Sequence, residues 1–166
     1  MNTDHTLAPG VAPDRLRTVM GRFCTGVAVI TGVDESGPAG LLVQSLASVS
    51  LEPPLVLFCP QKSSRSWPLI AATGRFGVNI LSEQQRELCS AFAKSGPDKF
   101  RDVAWHPSRS GLPVLVGHLA YLDCAIEAVH DAGDHEIVIG RVSDLHESEL
   151  DDPLLFYRGR LGRWAA

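Results

Sequence analysis

The feature that most limits how this chain can fold is the stretch Leu119 to Val129. Its even positions Ala120, Leu122, Cys124, Ile126 and Ala128 are apolar, while Asp123 and Glu127 fall on the opposite face. That is the period of a half-buried β-strand. The cluster Asp131-Ala132-Gly133-Asp134 then turns the chain into a second apolar run, Ile137 to Val142, and the pair reads as a long antiparallel hairpin. The remaining strands are short. Gly26 to Val33 is rich in β-branched residues, Asp34 to Pro38 is a turn, and Leu41 to Leu51 resumes an extended pattern to give another hairpin. Pro54 to Cys59 and Phe76 to Leu81 read as further strands. Six or seven strands without regular β-α alternation, and without a G-x-G-x-x-G, exclude a Rossmann site and point to a mainly β antiparallel barrel carrying short helices.

Three helices are expected around that barrel. Asp14 is placed to cap one bearing Leu16, Val19, Met20 and Phe23. Pro68 to Gly74 has proline in its first turn and glycine past its end. Ser82-x-x-Gln85 is a capping box opening a helix that runs to about Lys94. The polar stretch Lys94 to Leu112, with Pro97, Pro107 and Gly111, is expected to be a long loop on the barrel surface. Met1 to Pro13 reads as a flexible tail and residues 14–166 as one domain, a size that 45% hydrophobic residues suffice to fold. The net charge of −4 with scattered cations argues against a nucleic-acid partner. No apolar stretch reaches the roughly 18 residues a membrane span needs, so a cytoplasmic protein without a membrane partner is expected. Four separated cysteines, Cys24, Cys59, Cys89 and Cys124, sit in apolar contexts without a C-x-x-C, the pattern of buried reduced thiols.

Chemistry concentrates in Lys62-Ser63-Ser64-Arg65-Ser66-Trp67-Pro68, which packs two cations and three hydroxyls between a strand and a helix start. Unpaired helix N–H groups, serine hydroxyls and Lys62 together make a seat for a phosphate; the alternative is a simple serine cap beside solvated cations. The run Gly40 to Ser50 places Gln44, Ser45, Ser48 and Ser50 in an otherwise apolar strand, and a polar ligand lying along it would satisfy them, as would a solvated sheet face. His130, Asp131, Asp134 and His135 crowd one turn, but a tight turn projects such groups apart, so no metal is expected. His135 opens a strand, where it either leans over the barrel mouth or stays a surface residue. There is no G-x-S-x-G elbow for hydrolysis.

As a set, these blocks resemble a known family: Gly40-Leu41-x-x-Gln44-Ser45-x-x-Ser48-x-Ser50-Leu51-Glu52-Pro53-Pro54-Leu55, Lys62 to Trp67, Val78-Asn79-Ile80-Leu81-Ser82, Asp98-Lys99-Phe100, Gly133-Asp134-His135 and Leu154 to Gly159. They are similar to the flavin reductases of two-component flavin-dependent monooxygenases, in particular those serving aromatic and steroid-ring hydroxylases. The resemblance implies the FMN-binding split barrel, a six- or seven-stranded Greek-key fold. It also implies a homodimer that reduces FMN or FAD with NADH or NADPH and passes reduced flavin to a separate monooxygenase. The implied flavin contacts are Gly40, Leu41, Leu42, Val43, Gln44, Ser45, Leu46 and Ser48 along the ring. Lys62, Ser64, Ser66 and Trp67 would hold the phosphate, with Cys59, Pro60, Gln61, Phe92, Ala93 and Phe100 beside them. His135 would orient the nicotinamide without acting as a base, and Tyr157, Arg158 and Gly159 would face the nucleotide. Leu42 and Gln44 depart from the residues common there, which leaves FMN and FAD both open. The competing readings are a flavoprotein holding FMN tightly for its own substrate, and a non-catalytic flavin- or haem-binding module.

Overall fold

The computed structural model describes residues 10–94, 96, 98–150 and 152–163. Most of the expected tail, Pro97 and Trp164 lie outside the described residues. Helix α1 (Pro13–Met20) precedes β1 (Thr25–Gly26), β2 (Ala28–Asp34), β3 (Gly37–Val43), β4 (Ala47–Leu51) and β5 (Pro54–Phe58). Next come α2 (Ser66–Ala71), β6 (Arg75–Ile80), a 3-10 turn over Glu83–Gln85 and α3 (Leu88–Ala93). The chain ends with β7 (Trp105–Pro107), β8 (Pro113–Leu115), β9 (Ala120–Ala132), β10 (His135–Glu147), β11 (Leu154–Tyr157) and β12 (Arg160–Arg163).

Seven strands form one antiparallel sheet in the order β3-β2-β6-β9-β10-β5-β4. Hairpins β2-β3 and β9-β10 are the two that the turn clusters anticipate, and β9-β10 pairs from His135↔Ala132 to Glu147↔Ala120 through two bulges. The sheet rolls up because one core takes residues from both of its ends: Leu41 and Val43 of β3 pack in the same cluster as Val56 and Phe58 of β5, with Ile30, Phe76, Val78, Cys124 and Val138 between them. The edges β3 and β4 meet at a corner, Gln44 to Leu46, without a hydrogen-bonded ladder between them. Where one strand from Leu41 to Leu51 is expected, this corner divides it in two.

The opposite face of β2 carries Val29, and with it Val27 just before the strand, into a second cluster with Leu81, Cys89, Phe92, Phe100, Leu115 and Leu154. Alternate residues of β2 thus serve two cores, and the strand is buried on both sides. A buried polar knot locks β8 onto this layer: Asn79 Nδ2 donates to Thr31 Oγ1 (3.2 Å), Thr31 Oγ1 donates to the Pro113 carbonyl (2.7 Å), and Leu115 N–H donates to Asn79 Oδ1 (2.8 Å).

Several local expectations are corrected. Asp14 is inside the first turn of α1, whose N-cap is Ala12, and the apolar stripe Leu16, Val19, Met20 and Phe23 is exposed rather than packed within the chain. The capping box forms, since Ser82 N–H donates to Gln85 Oε1 at 3.1 Å, but the helix after it breaks at Arg86–Glu87. Lys94 to Leu112 is partly built in: Phe100 is buried and Trp105–Pro107 pairs with β8. Asp123, expected on a solvated face, is buried because Ser108 and Ser110 fold over it and donate to its carboxylate, where Arg75 also pairs with it. Cys89 and Cys124 are buried free thiols, whereas Cys24 is exposed and Cys59 half-buried.

Candidate active site

The loop after β5 is held against the start of β10. Glu136 N–H donates to the Pro60 carbonyl and Lys62 N–H to the Asp134 carbonyl, both at 3.0 Å, with Gln61 and His135 bridged between them. A turn follows in which Ser64 N–H donates to the Gln61 carbonyl, and Trp67 N–H then donates to Ser64 Oγ at 3.2 Å. The N–H groups of Ser63, Arg65 and Ser66 have no protein acceptor among the described residues. Free amides and hydroxyls in successive residues that line a groove are the material of an anion-binding concavity. The helix contributes less than expected: α2 begins at Ser66, so Pro68 is its third residue, and it runs for only 6 residues. The seat is therefore a property of the loop more than of a helix end.

Two expected phosphate contacts have other duties. Lys62 pairs with Asp131 of β9 and does not line the groove; Arg65 does. Trp67 is buried, edge-on to Phe58 at 5.4 Å between centroids, and its indole N–H donates to Glu136 Oε2 at 2.6 Å. It anchors the seat to β10 instead of forming its wall.

The groove beyond the seat encloses about 520 Å³. It gathers Leu41, Leu42, Val43, Gln44 and Ser45 on one wall and Cys59, Pro60, Gln61, Ser64 and Ser66 on another, with Phe92, Ala93 and His135 completing it. All of these are expected site residues. Ser63 and Arg65 of the expected seat segment also line it, together with Lys94, Gly96 and Lys99, to which the sequence reading gave no site role. Gly40 and Phe100 sit behind the wall: Phe92 and Phe100 stack edge-on at 5.1 Å, and a Cβ on Gly40 would lie 2.6 Å from the Phe92 ring. Ser48 is exposed on β4 and lines neither groove.

Leu46 and Gly159 line a second, apolar groove with Met20, Phe23, Ile80 and Phe156, and this groove meets the first at Gln44 and Ser45. Tyr157, Arg158 and Gly159 form the β11-β12 turn, where Arg158 and Gly159 both take positive φ (51° and 79°) and Arg158 N–H donates to the Gly21 carbonyl at 2.8 Å. Within one chain this turn does not reach the first groove.

Among the described residues, the first groove is lined by Arg65, Lys94, Lys99 and no carboxylate, in a chain whose net charge is −4. His135 stands at its rim, and its Nδ1 lies 2.8 Å from Asp134 Oδ1. In the neutral imidazole, Nδ1–H donating to that carboxylate leaves Nε2 as an acceptor. The same bond holds the Asp134 carboxyl below its ordinary pKa. Ser45 Oγ accepts the Cys59 N–H at 2.8 Å, fixing the β3-β4 corner against the end of β5. A cleft with an anion seat at one end, a mixed apolar and amide wall along its length and an imidazole at the rim fits a flat ligand carrying a phosphate.

Residues 20–165 match the flavin reductase like domain. The chain belongs to this flavin reductase family. Over 153 residues it is 52% identical to the flavin-dependent monooxygenase reductase subunit HsaB of Rhodococcus jostii, a match covering 92% of this chain and 78% of that one. The fold superposes on nitrilotriacetate monooxygenase component B from Mycobacterium thermoresistibile with a TM-score of 0.89 at 49% identity, covering 92% and 86% of the two chains. It is also similar to the Streptomyces globisporus NADH:FAD oxidoreductase SgcE6, with a TM-score of 0.88 at 36% identity over 96% of this chain and 99% of that one. The seven-stranded barrel, open along the β3-β4 corner, is the split barrel that the resemblance implies. As in this family of oxidoreductases, the substrates to be brought together are a flavin and a nicotinamide nucleotide.

Proposed function

We propose that this flavin reductase binds FMN or FAD in the cation-lined groove, reduces it with NADH or NADPH, and releases reduced flavin to a separate flavin-dependent monooxygenase. The observation that carries the reading is a groove whose charged lining among the described residues is entirely cationic, with a seat of three free amides in the loop that is held against His135. The names of its relatives, a monooxygenase reductase subunit and an NADH:FAD oxidoreductase, support both halves of the reaction.

The flavin supplies the electron-accepting chemistry: N5 of its ring takes hydride from C4 of the nicotinamide. The protein's part is placement. Ser63, Arg65 and Ser66 would hold the phosphate, and the Leu41 to Ser45 wall would hold the ring. His135, oriented by Asp134, offers Nε2 to the carboxamide of the incoming nicotinamide. Holding the two rings about 3–3.5 Å apart makes the transfer effectively unimolecular, and no protein base is needed.

A homodimer completes the reading. Leu16, Val19, Met20 and Phe23 are 55–70% exposed beside the apolar groove, a surface that a second copy would cover. Because that groove joins the flavin site at Gln44 and Ser45, the Tyr157–Gly159 turn of one copy is offered to the site of the other. A single reductase domain from residue 14 onward, working in the cytoplasm, agrees with four free cysteines; no helix among the described residues is long and apolar enough to cross a membrane.

The test is flavin titration of R65A/S66A. Affinity for FMN is expected to fall at least tenfold and affinity for riboflavin to change less than threefold, since a charge-assisted phosphate contact is worth about 1.5–3 kcal/mol. Equal losses for both ligands overturn the seat. H135A is expected to raise KM for the nucleotide while leaving the flavin Kd in place; a matched loss in both removes the assigned role.

A further inference from the structure

Lys99 is a half-buried cation whose partners do not account for its charge. Its ammonium donates to the Gly40 carbonyl at 3.0 Å and to the Phe92 carbonyl at 3.1 Å. An ammonium has three N–H donors. Among the described residues the third has no acceptor, and no carboxylate pairs with Lys99 or with the other two groove cations, Arg65 and Lys94, although Lys62, Arg75, Arg86, Arg101 and Arg141 outside the groove all have one. Burial pushes the Lys99 amine below the ordinary lysine value. A desolvated charge without a counter-charge is a cost to the fold. Two carbonyls could be bridged by a neutral amide at lower cost, so the retained cation points to an anion that is absent from the protein itself.

The location narrows which anion. Lys99 lines the groove and holds the strand carrying Leu41 to Ser45, the wall assigned above to the ring. The phosphate already has a seat of its own, with Arg65, in a different loop. The ring, by contrast, becomes charged during the reaction. Hydride carries two electrons with its proton, so transfer from C4 leaves the nicotinamide ring one unit more positive and the flavin ring one unit more negative.

We propose that the third N–H of Lys99 faces the flavin ring and stabilises the negative charge it gains, so that Lys99 sets the relative affinity of the groove for reduced and oxidised flavin. This rests on the flavin-reductase reading and adds a residue role to it. The two carbonyls share the ammonium's donors, which moderates its pull on the product, and a reductase that must hand reduced flavin on needs that moderation.

The experiment measures anaerobic Kd values for oxidised and reduced FMN and riboflavin, and the midpoint potential of bound flavin, in wild type, K99M, K99Q and K99R. K99M is expected to weaken reduced flavin about tenfold more than oxidised flavin, the scale of one partly screened charge pair. For a two-electron couple that ratio lowers the bound potential by about 30 mV. FMN and riboflavin should show the same shift, and K99R should keep the wild-type potential. K99Q retains a donor toward Gly40, and it carries the same expected shift if K99M does not fold. Parallel loss of both redox states at unchanged potential overturns the proposal and leaves Lys99 as a brace. A loss confined to FMN also overturns it, because the partner is then the phosphate. Failure of wild type to bind flavin in this groove would instead refute the underlying reading, independently of any Lys99 variant.

Discussion

The hydrogen bond from the Trp67 indole to Glu136 ties the phosphate seat to the strand that presents His135, and its removal should be felt in both stability and binding. In W67F the ring still fills most of the space against Phe58, but the N–H is lost from a bond of 2.6 Å to a carboxylate. Bonds to charged groups contribute about 1.5–3 kcal/mol. Glu136 is half-buried and can turn to water, which favours the lower end of that range. The smaller ring leaves a defect in a core position that is 5% exposed, adding about 1 kcal/mol. A total of about 2.5 kcal/mol corresponds to a fall in Tm of roughly 5–10 °C for a chain of this size. E136Q keeps an acceptor and should cost about 1 kcal/mol. Urea unfolding of W67F, E136Q and the double variant gives the coupling directly, and about 1–1.5 kcal/mol is expected. FMN titration should show a loss of severalfold in W67F, because the first turn of α2 is freed from β10. Additive single effects, or an unchanged FMN Kd despite the lost stability, would refute the idea that this bond connects the seat to the strand.

Other outcomes follow from the same packing. G40A should destabilise by about 1–3 kcal/mol, since its Cβ meets the Phe92 ring at 2.6 Å and Phe92 is itself backed by Phe100; a neutral result by thermal melting would contradict that packing. Thiol labelling of the native protein should modify Cys24 quickly and Cys59 slowly, with FMN protecting Cys59 alone, while Cys89 and Cys124 react only on unfolding; the Cys124 thiol is raised by burial to about 12. His118 donates Nδ1–H to the Leu115 carbonyl at 2.7 Å and faces His146 Nε2 at 2.9 Å, and burial lowers its pKa from 6.5. The unfolded chain therefore binds the proton first, so this contribution to stability is complete above about pH 6.5 and is lost as the pH falls through the lower folded value. H118F should flatten that slope in denaturant titrations between pH 5 and 7, and an unchanged slope would remove the assignment.

How much of this was legible in the chain depended on whether the information was local. The β9-β10 hairpin and the Ser82–Gln85 box are written in contiguous residues, and the structure forms both of them. The groove wall from Leu41 to Ser45 was legible as polar residues in an apolar run. What escaped was pairing over distance. Nothing near Lys62 marks Asp131 as its partner, so of the two cations in the segment Lys62 was the one assigned to the phosphate, whereas Arg65 is the one that lines the groove. Lys99 finds its acceptor 59 residues away at Gly40, and one lysine in a polar loop carries no local sign of that. Asp123 looked solvated because alternation along β9 cannot report that Ser108 and Ser110 fold over it. The turn at Tyr157–Gly159 was visible as a motif, but its position away from its own chain's groove follows only from the tertiary arrangement.

The β5-β10 pairing, Leu55↔Arg141 through Phe58↔Val138, brings together strands separated by the whole middle of the chain. Contacts of such long sequence separation are closed slowly, after local hairpins have formed. The residues that line the proposed flavin groove stand on one side or the other of that closure, from Leu41 to His135. A chain lacking β10 is accordingly expected to keep the β2-β3 hairpin but to have neither the β9-β10 hairpin nor a completed cleft.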